Sequence, residues 1–291
     1  MQSQQPNGLR QSIRKWILWL TPPGLLVIVR RLRYGPPPAP EWSYRPEGWV
    51  DSTAGSGWQN QLVADAQRRK WPRFLELISK PNPLSVSHEA PEPDGQCLAS
   101  QTALLAFGYC LARCAAGRPD LSLLDFGCGA GHYLRLSREF LPETRIAYTG
   151  HDLPHLCALG RELNPDATFL ESSGDCWLHR YDLVLASGSL QYVHDWRDML
   201  AKLASAARGF LLINRLPSTS GEKTFVVTQK AHAYGYGTEY SGWVFSRAEF
   251  LAAAAELGLS LEREFLLMDR PNVEGTPGPV QFRGFLFSKA A

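Results

Sequence analysis

From residue 98 onward, apolar positions recur in two alternating rhythms. Short, nearly continuous apolar runs at 121–126 (LSLLDF), 145–150 (RIAYTG), 167–171 (ATFLE), 181–186 (YDLVLA) and 209–214 (GFLLIN) predict strands. Between them, apolar residues spaced three and four apart predict helices over 98–116, 130–141, 154–163 and 195–207. Strands without a polar face, separated by helices, predict a doubly wound α/β sheet, mostly parallel and covered on both sides. A helix over 247–257 and the runs 260–267 (SLEREFLL) and 280–288 (VQFRGFLFS) come next. The last two predict an antiparallel pair, placing an antiparallel C-terminal edge strand on the sheet.

The chain before residue 98 follows a different pattern. Residues 41–97 are rich in Trp, Pro and Gly (Trp42, Trp49, Trp58, Trp71), and only 59–78 shows helical periodicity. The expectation is an N-terminal helical extension, a helical cap rather than a sheet. Gly35-Pro36-Pro37-Pro38-Ala39-Pro40 reads as a stiff extended linker. The expected division is therefore a basic-apolar arm with its linker at 1–40, a helical cap at 41–97 and the sheet-bearing domain at 98–291.

Composition narrows the function classes. With 44% hydrophobic and 20% charged residues, the 291-residue chain is neither disordered, collagen-like nor a polytopic membrane protein. The net charge of +2 hides an asymmetry: residues 1–40 hold six basic groups (Arg10, Arg14, Lys15, Arg30, Arg31, Arg33) and no acid. That leaves 24 of the 30 Lys and Arg to face all 28 Asp and Glu in the rest, a mildly acidic body that argues against nucleic acid. The apolar stretch 16–29 (WILWLTPPGLLVIV) is broken by Pro22-Pro23-Gly24 and is too short for a helix across about 30 Å of hydrocarbon. Its tryptophans and flanking arginines suit an anionic membrane surface met through residues 10–33; an arm packed on the body is the alternative. The six cysteines show no C-x-x-C, so no metal site is expected and a reduced, cytoplasmic setting is, with peripheral attachment at the inner face of the membrane.

The strongest chemical signal is Leu123-Leu124-Asp125-Phe126-Gly127-Cys128-Gly129-Ala130-Gly131. A strand ends in an acid, a glycine turn follows and a helix opens. Glycines permit the tight turn and the close approach of a ligand to the backbone. The spacing is G-x-G-x-G, not the G-x-G-x-x-G of dinucleotide binders, and an acid at the strand end suits an ammonium group better than a pyrophosphate. No Gly-Lys-Ser/Thr follows, which argues against a P-loop.

The D-x-G-x-G-x-G after an apolar strand resembles the first motif of class I S-adenosylmethionine-dependent methyltransferases, and the likeness covers roughly residues 98–291. It implies a Rossmann-like fold and S-adenosylmethionine as cofactor. It also implies that Asp125, Gly127, Gly129 and Gly131 lie under the cofactor's methionine part, the acid helping to bind the amino end. Asp152, 21 residues after Gly131 and at the end of the next strand, stands where the family holds the ribose hydroxyls, with Leu153 beside it. Asp175 is the expected polar contact at the adenine end, with Glu171 and Ser172 competing and helix capping as its alternative role.

A third element, Ser187-Gly188-Ser189-Leu190-Gln191-Tyr192-Val193-His194-Asp195-Trp196, follows the fourth strand. It is similar to the Leu-Glu-His-Val-Pro-Asp segment of small-molecule methyltransferases, with Gln191-Tyr192 in place of Glu-His and His194 in place of proline. Together with Arg215-Leu216-Pro217, Phe225-Val226-Val227-Thr228-Gln229 and Tyr240-Ser241-Gly242-Trp243, it resembles a bacterial branch associated with cell-surface polysaccharide biosynthesis. Ser187 is then an expected cofactor neighbour.

Methyl transfer to an alcohol oxygen calls for a base near the acceptor. His194, beyond the carboxyl end of a strand, is the expected catalytic base, and Tyr192 a catalytic-pocket donor or wall. His132, after the glycine loop, reads as a surface helix residue, with a cofactor or substrate contact as the alternative. The segment from Arg215 to Trp243 is long for a connection and predicts a lid or acceptor wall, with Arg215, His232, Tyr236, Tyr240 and Trp243 as substrate-binding candidates. The expected activity is O-methylation of a sugar, as a small-molecule or lipid-linked glycan-pathway substrate. The alternatives are a catalytically inactive nucleoside-binding protein of the same fold and an NAD-dependent oxidoreductase.

Overall fold

Each central strand sorts its side chains alternately to two faces, which is why its sequence is apolar throughout. Leu123, Leu183, Leu185, Leu212 and Leu286 enter one core. Their neighbours Leu124, Val184, Ala186, Leu211, Ile213, Phe285 and Phe287 enter the other. A strand buried on both faces needs no polar positions. Fully burying each such leucine contributes roughly 1.5–3 kcal/mol of transfer free energy.

The computed structural model describes residues 40–52, 56–79, 81–86 and 97–289. The strands are β1 (Trp42–Tyr44), β2 (Asp120–Phe126), β3 (Arg145–His151), β4 (Thr168–Leu170), β5 (Tyr181–Ser187), β6 (Ala207–Thr219), β7 (Phe225–Lys230), β8 (Glu239–Ser246), β9 (Leu259–Leu266), β10 (Val273–Glu274) and β11 (Val280–Lys289). The helices are α1 (Gln61–Ile78), α2 (Leu98–Ala115), α3 (His132–Phe140), α4 (Pro154–Leu163), α5 (Ser173–Cys176), α6 (Trp196–Ala206) and α7 (Arg247–Glu256).

The main sheet runs β9-β11-β6-β5-β2-β3-β4. Strands β4, β3, β2, β5 and β6 are parallel, while β11 is antiparallel to both β6 and β9. The expected doubly wound α/β sheet with its antiparallel C-terminal edge is what the chain forms. The one-face core gathers α1 to α4; the other gathers α6 and α7. Helix starts follow local chemistry: Asn60 accepts from Leu62 N at 3.0 Å before α1, and Asp195 from Asp198 N at 3.1 Å before α6.

Two expectations need correction. Residues 41–97 carry the expected helix as α1 but are not a separate cap: β1 pairs antiparallel with β7 and parallel with β10, and residues 41–291 form one compact unit. The stretch from Arg215 to Trp243 is not a long connection either. Strand β6 continues to Thr219, and β7 and β8 form an antiparallel hairpin with β1 and β10 beyond it. The β-branched run Val226-Val227-Thr228 is the local reason, favouring an extended pleated conformation. The hairpin joins the main sheet where β8 runs parallel to the end of β6, Ser218 against Phe245 and Thr219 against Ser246.

The basic-apolar arm, including residues 10–33 expected to meet a membrane surface, and the proline linker up to Ala39 lie outside the described residues. Among the described residues no helix is long and apolar enough to cross a membrane, and no cluster of His, Cys, Asp and Glu could hold a metal ion. All six cysteines are free thiols.

Candidate active site

Strand order reverses at β2: the chain moves from β2 to β3 and β4 on one side, then to β5 and β6 on the other. Such a reversal opens a crevice at the carboxyl ends of the strands. Here it holds a cavity of ≈ 590 Å³.

The glycine loop forms its floor. Gly127 (φ 77°) and Gly129 (φ 52°) take left-handed backbone conformations that side chains disfavour. Space is closed to them as well. A Cβ on Gly127 would sit 2.3 Å from Ser189 Cβ, and one on Gly129 2.8 Å from Gln67 Oε1. The amides of Gly127 and Cys128 donate to His151 O at 2.8 and 3.2 Å, tying the loop to the end of β3. Gly131 caps α3 and does not line the cavity.

Asp152 faces this floor. Its Oδ2 accepts from Gly129 N and its Oδ1 from Leu153 N, each at 2.7 Å. Burial raises its pKa, opposed by these two backbone bonds. Leu153 lines the cavity beside it, with Phe126, Leu156 and Glu171; Arg161 Nη1 donates to Glu171 Oε1 at 2.7 Å. His151 stacks on Phe126 at 5.3 Å, its Nδ1 2.8 Å from Leu170 O.

Asp125 is placed differently from Asp152. It is 1% exposed, lies outside the cavity lining and accepts from Tyr148 Oη at 2.7 Å. Burial pushes its pKa up to about 7, Tyr148 pulls it down and the Asp152 charge adds to the rise. Asp175 stands exposed on α5, away from the cavity. Ser187 does line it, its Oγ 2.6 Å from Tyr133 Oη.

The opposite wall is aromatic. Tyr192 packs against Trp58 (5.1 Å) and Tyr240 (5.0 Å), and Trp58 stacks on Tyr240 at 4.6 Å. Tyr192 Oη donates to Gln229 Oε1 at 2.6 Å, and Gln229 Nε2 donates to Glu41. His194 is exposed at the rim, parallel to Trp49 at 5.1 Å and 4°. Trp243 stacks on Trp49 at 5.4 Å and donates from Nε1 to Val193 O and His194 O. Tyr192, Gln229 and Tyr240 thus meet in one cluster.

Of the expected acceptor wall, Tyr240 lines the cavity, whereas Trp243, Arg215, His232 and Tyr236 do not. Parity along β8 separates Trp243 from Tyr240. Tyr236 is 2% exposed within the core, with Lys70 Nζ 5.4 Å from its ring centre. His232 is exposed and 3.3 Å from Glu239. Arg215, half-buried, marks the bend of β6 with φ 53°. His132 is not a surface residue: it is 2% exposed, between Trp71 (5.0 Å) and Phe74 (4.8 Å). Residues that sequence reasoning passed over also line the cavity: Trp49, Trp58, Gln67 and Tyr133. The tryptophan density of 41–97 was the signal for the first two; nothing marked the others.

A switch-point crevice floored by a glycine loop and faced by a strand-end carboxylate defines a nucleoside-binding α/β protein. A methyltransferase-domain family model matches residues 68–264, and the chain belongs to that family. No curated protein matches it in sequence. Among solved structures it is similar to the Burkholderia thailandensis 1,6-didemethyltoxoflavin-N1-methyltransferase with bound 1,6-didemethyltoxoflavin and S-adenosylhomocysteine. That pair shares 16% identity over 84% of this chain and 94% of the other, with TM-score 0.44. It is also similar to S-adenosylmethionine-dependent methyltransferases from Methanosarcina mazei (15% identity, 59% and 93% covered, TM-score 0.45) and Clostridium acetobutylicum (10%, 65% and 92%, 0.43).

Proposed function

We propose that this chain is an S-adenosylmethionine-dependent methyltransferase that methylates an oxygen of a sugar or glycan-linked small molecule. The observation that carries the reading is one continuous cavity bounded by the glycine loop and Asp152 on one side and by Trp58, Tyr192 and Tyr240 on the other. The residues suit the cofactor: the floor packs as it does because Gly127 and Gly129 lack a Cβ, which would strike Ser189 and Gln67. Each Asp152 oxygen, spending one lone pair on a backbone amide, keeps another for a ribose hydroxyl. Phe126, Leu153 and Leu156 offer apolar surface for a base.

Bound there, S-adenosylmethionine supplies an electrophilic methyl group. The protein's own part is positioning, desolvation and proton removal. Trp58 and Tyr240 present aromatic faces on which a sugar ring stacks and from which water is excluded. Tyr192, with its hydroxyl proton committed to Gln229, offers an oxygen lone pair to a hydroxyl next to the one that is methylated. His194 at the rim is the base that takes the proton. The resemblance to the polysaccharide branch supports the glycan assignment, and the basic-apolar arm supports delivery at an anionic membrane surface to a lipid-linked acceptor.

Calorimetry of the full chain with S-adenosylhomocysteine and NAD tests the cofactor reading: binding of the first alone is expected, and binding of NAD alone overturns it. Mass spectrometry of surface glycans from cells with and without the gene tests the acceptor. Loss of about 14 mass units, the added CH₂, is expected on deletion. Liposome flotation with and without residues 1–35 tests the membrane assignment; equal behaviour of the two overturns it.

A further inference from the structure

Gln67 lies on α1, one residue ahead of the segment matched by the family model. It is 6% exposed and lines the cavity against the glycine loop. Its Oε1 accepts from Ala130 N at 2.8 Å. A backbone amide can only donate, so this bond fixes the orientation of the side-chain amide, and both Nε2 protons are aimed elsewhere. Among the described residues no group accepts from Nε2. Nε2 keeps contact with the cavity space, where it can donate to a bound molecule.

The surroundings select an anion as the missing acceptor. Helix α3 begins at His132, two residues past Ala130, and its positive end faces the same loop. The two nearby carboxylates are already engaged, Asp125 by Tyr148 and Asp152 by the Gly129 and Leu153 amides. Of the parts of S-adenosylmethionine, a base asks for apolar walls and a ribose for acceptors. Only the amino-acid end carries an anion.

We propose that Gln67 reads the carboxylate of the cofactor's amino-acid end, and that this contact ties α1 to the sheet when the cofactor binds. The inference rests on the reading that this cavity takes S-adenosylmethionine. It makes Gln67 a specificity residue that separates the intact cofactor from nucleosides lacking the amino-acid end.

The test is calorimetry of the full chain with S-adenosylhomocysteine and with 5′-methylthioadenosine, which keeps the nucleoside and thioether but has no carboxylate. Gln67→Glu preserves an acceptor for Ala130 N while replacing the donor with a second acceptor. In that variant S-adenosylhomocysteine is expected to weaken by roughly 30-fold or more, and 5′-methylthioadenosine by less than about threefold. Unchanged or tighter S-adenosylhomocysteine binding overturns the proposal, as does an equal loss of both ligands, which would make Gln67 a prop for the loop. In the wild type, S-adenosylhomocysteine but not 5′-methylthioadenosine is expected to slow amide exchange across Gln61–Ile78; equal protection by both overturns the tie to α1. A wild-type chain that binds neither ligand refutes the cofactor reading itself, an outcome visible before any variant is made.

Discussion

Asp152→Asn is the substitution that most cleanly separates binding from folding. The carboxylate accepts two backbone amides at 2.7 Å, one on each oxygen. An asparagine can satisfy one; its NH₂ then confronts the other N–H. Losing a charge-assisted bond of this kind costs about 1.5–3 kcal/mol. Against that, the variant no longer buries an ion whose pKa burial has raised. The two effects oppose each other, so stability is expected to fall by no more than about 2 kcal/mol. Binding has no such offset. A ribose diol offers two donors to a carboxylate and finds one acceptor in the amide, a loss of about 3 kcal/mol or roughly 100-fold in affinity. Calorimetry with S-adenosylhomocysteine, run beside a thermal melt, measures both. Adenosine and 2′-deoxyadenosine provide the internal control: the wild type should distinguish them and the variant should not. A folded variant that binds S-adenosylhomocysteine within about threefold of wild type would falsify the ribose assignment.

Gly127→Ala should lower the melting temperature and abolish cofactor binding, since it combines a left-handed backbone cost of about 1–2 kcal/mol with a Cβ 2.3 Å from Ser189 Cβ. Adding Ser189→Gly should restore part of the loss, and a single variant that melts like wild type contradicts the loop geometry. His194→Ala should slow methyl transfer to the glycan acceptor by about 100-fold or more while leaving S-adenosylhomocysteine affinity unchanged. A loss confined to cofactor binding would remove His194 from the base role. Asp182 provides an acid-side test. Burial raises its pKa, but the Ser122 amide and hydroxyl and Arg208 lower it further, to about 2. Its stabilisation is complete above its ordinary 3.8 and lost as pH falls through about 2. Asp182→Asn should therefore flatten the melting curve over that range and cost on the order of 1–2 kcal/mol at neutral pH, discounted for its exposed arginine partners. Asp125 has the opposite sign: the folded state keeps a proton that the unfolded chain releases, so its contribution to stability declines from pH 3.8 to about 7. Asp125→Asn should remove that decline in a urea-denaturation series; a slope unchanged by the substitution refutes the shift.

The main sheet was legible because its information is local. Leu183-Val184-Leu185-Ala186 says by itself that both faces are covered, and Asp125 to Gly131 says where the strand stops and the backbone turns. Of the aromatic wall only Tyr192 and Tyr240 were legible, because the rest depends on partners far apart in the chain. Strand β1 is three residues long and exists only through its pairing with β7 and β10. Val50 N is held by Ser241 Oγ at 3.2 Å, across 191 residues, which brings the Trp49 strand-end segment to the cavity. The spacing of Tyr236, Tyr240 and Trp243 looked like a lid because aromatic density alone does not state parity. Once β8 is a strand, odd and even positions part company. Gln67 carried no signal at all: a glutamine on an amphipathic helix gains meaning only when Ala130 is found beneath it.

Strand β6 is shared property. Its first half is the fifth parallel strand of the main sheet, its second half carries the β7–β8 hairpin, and β11 runs alongside both from Phe210 to Thr219. The hairpin pairs in register with the parallel sheet at only two positions, so those of its side chains that stay out of the shared cores, unlike Tyr240 and Phe245, can drift without disturbing the main sheet. Such a layout separates inheritance from invention. For engineering, the β7–β8 hairpin is the part to diversify when a new acceptor is wanted, with grafts joined beyond Thr219 and before Ser246.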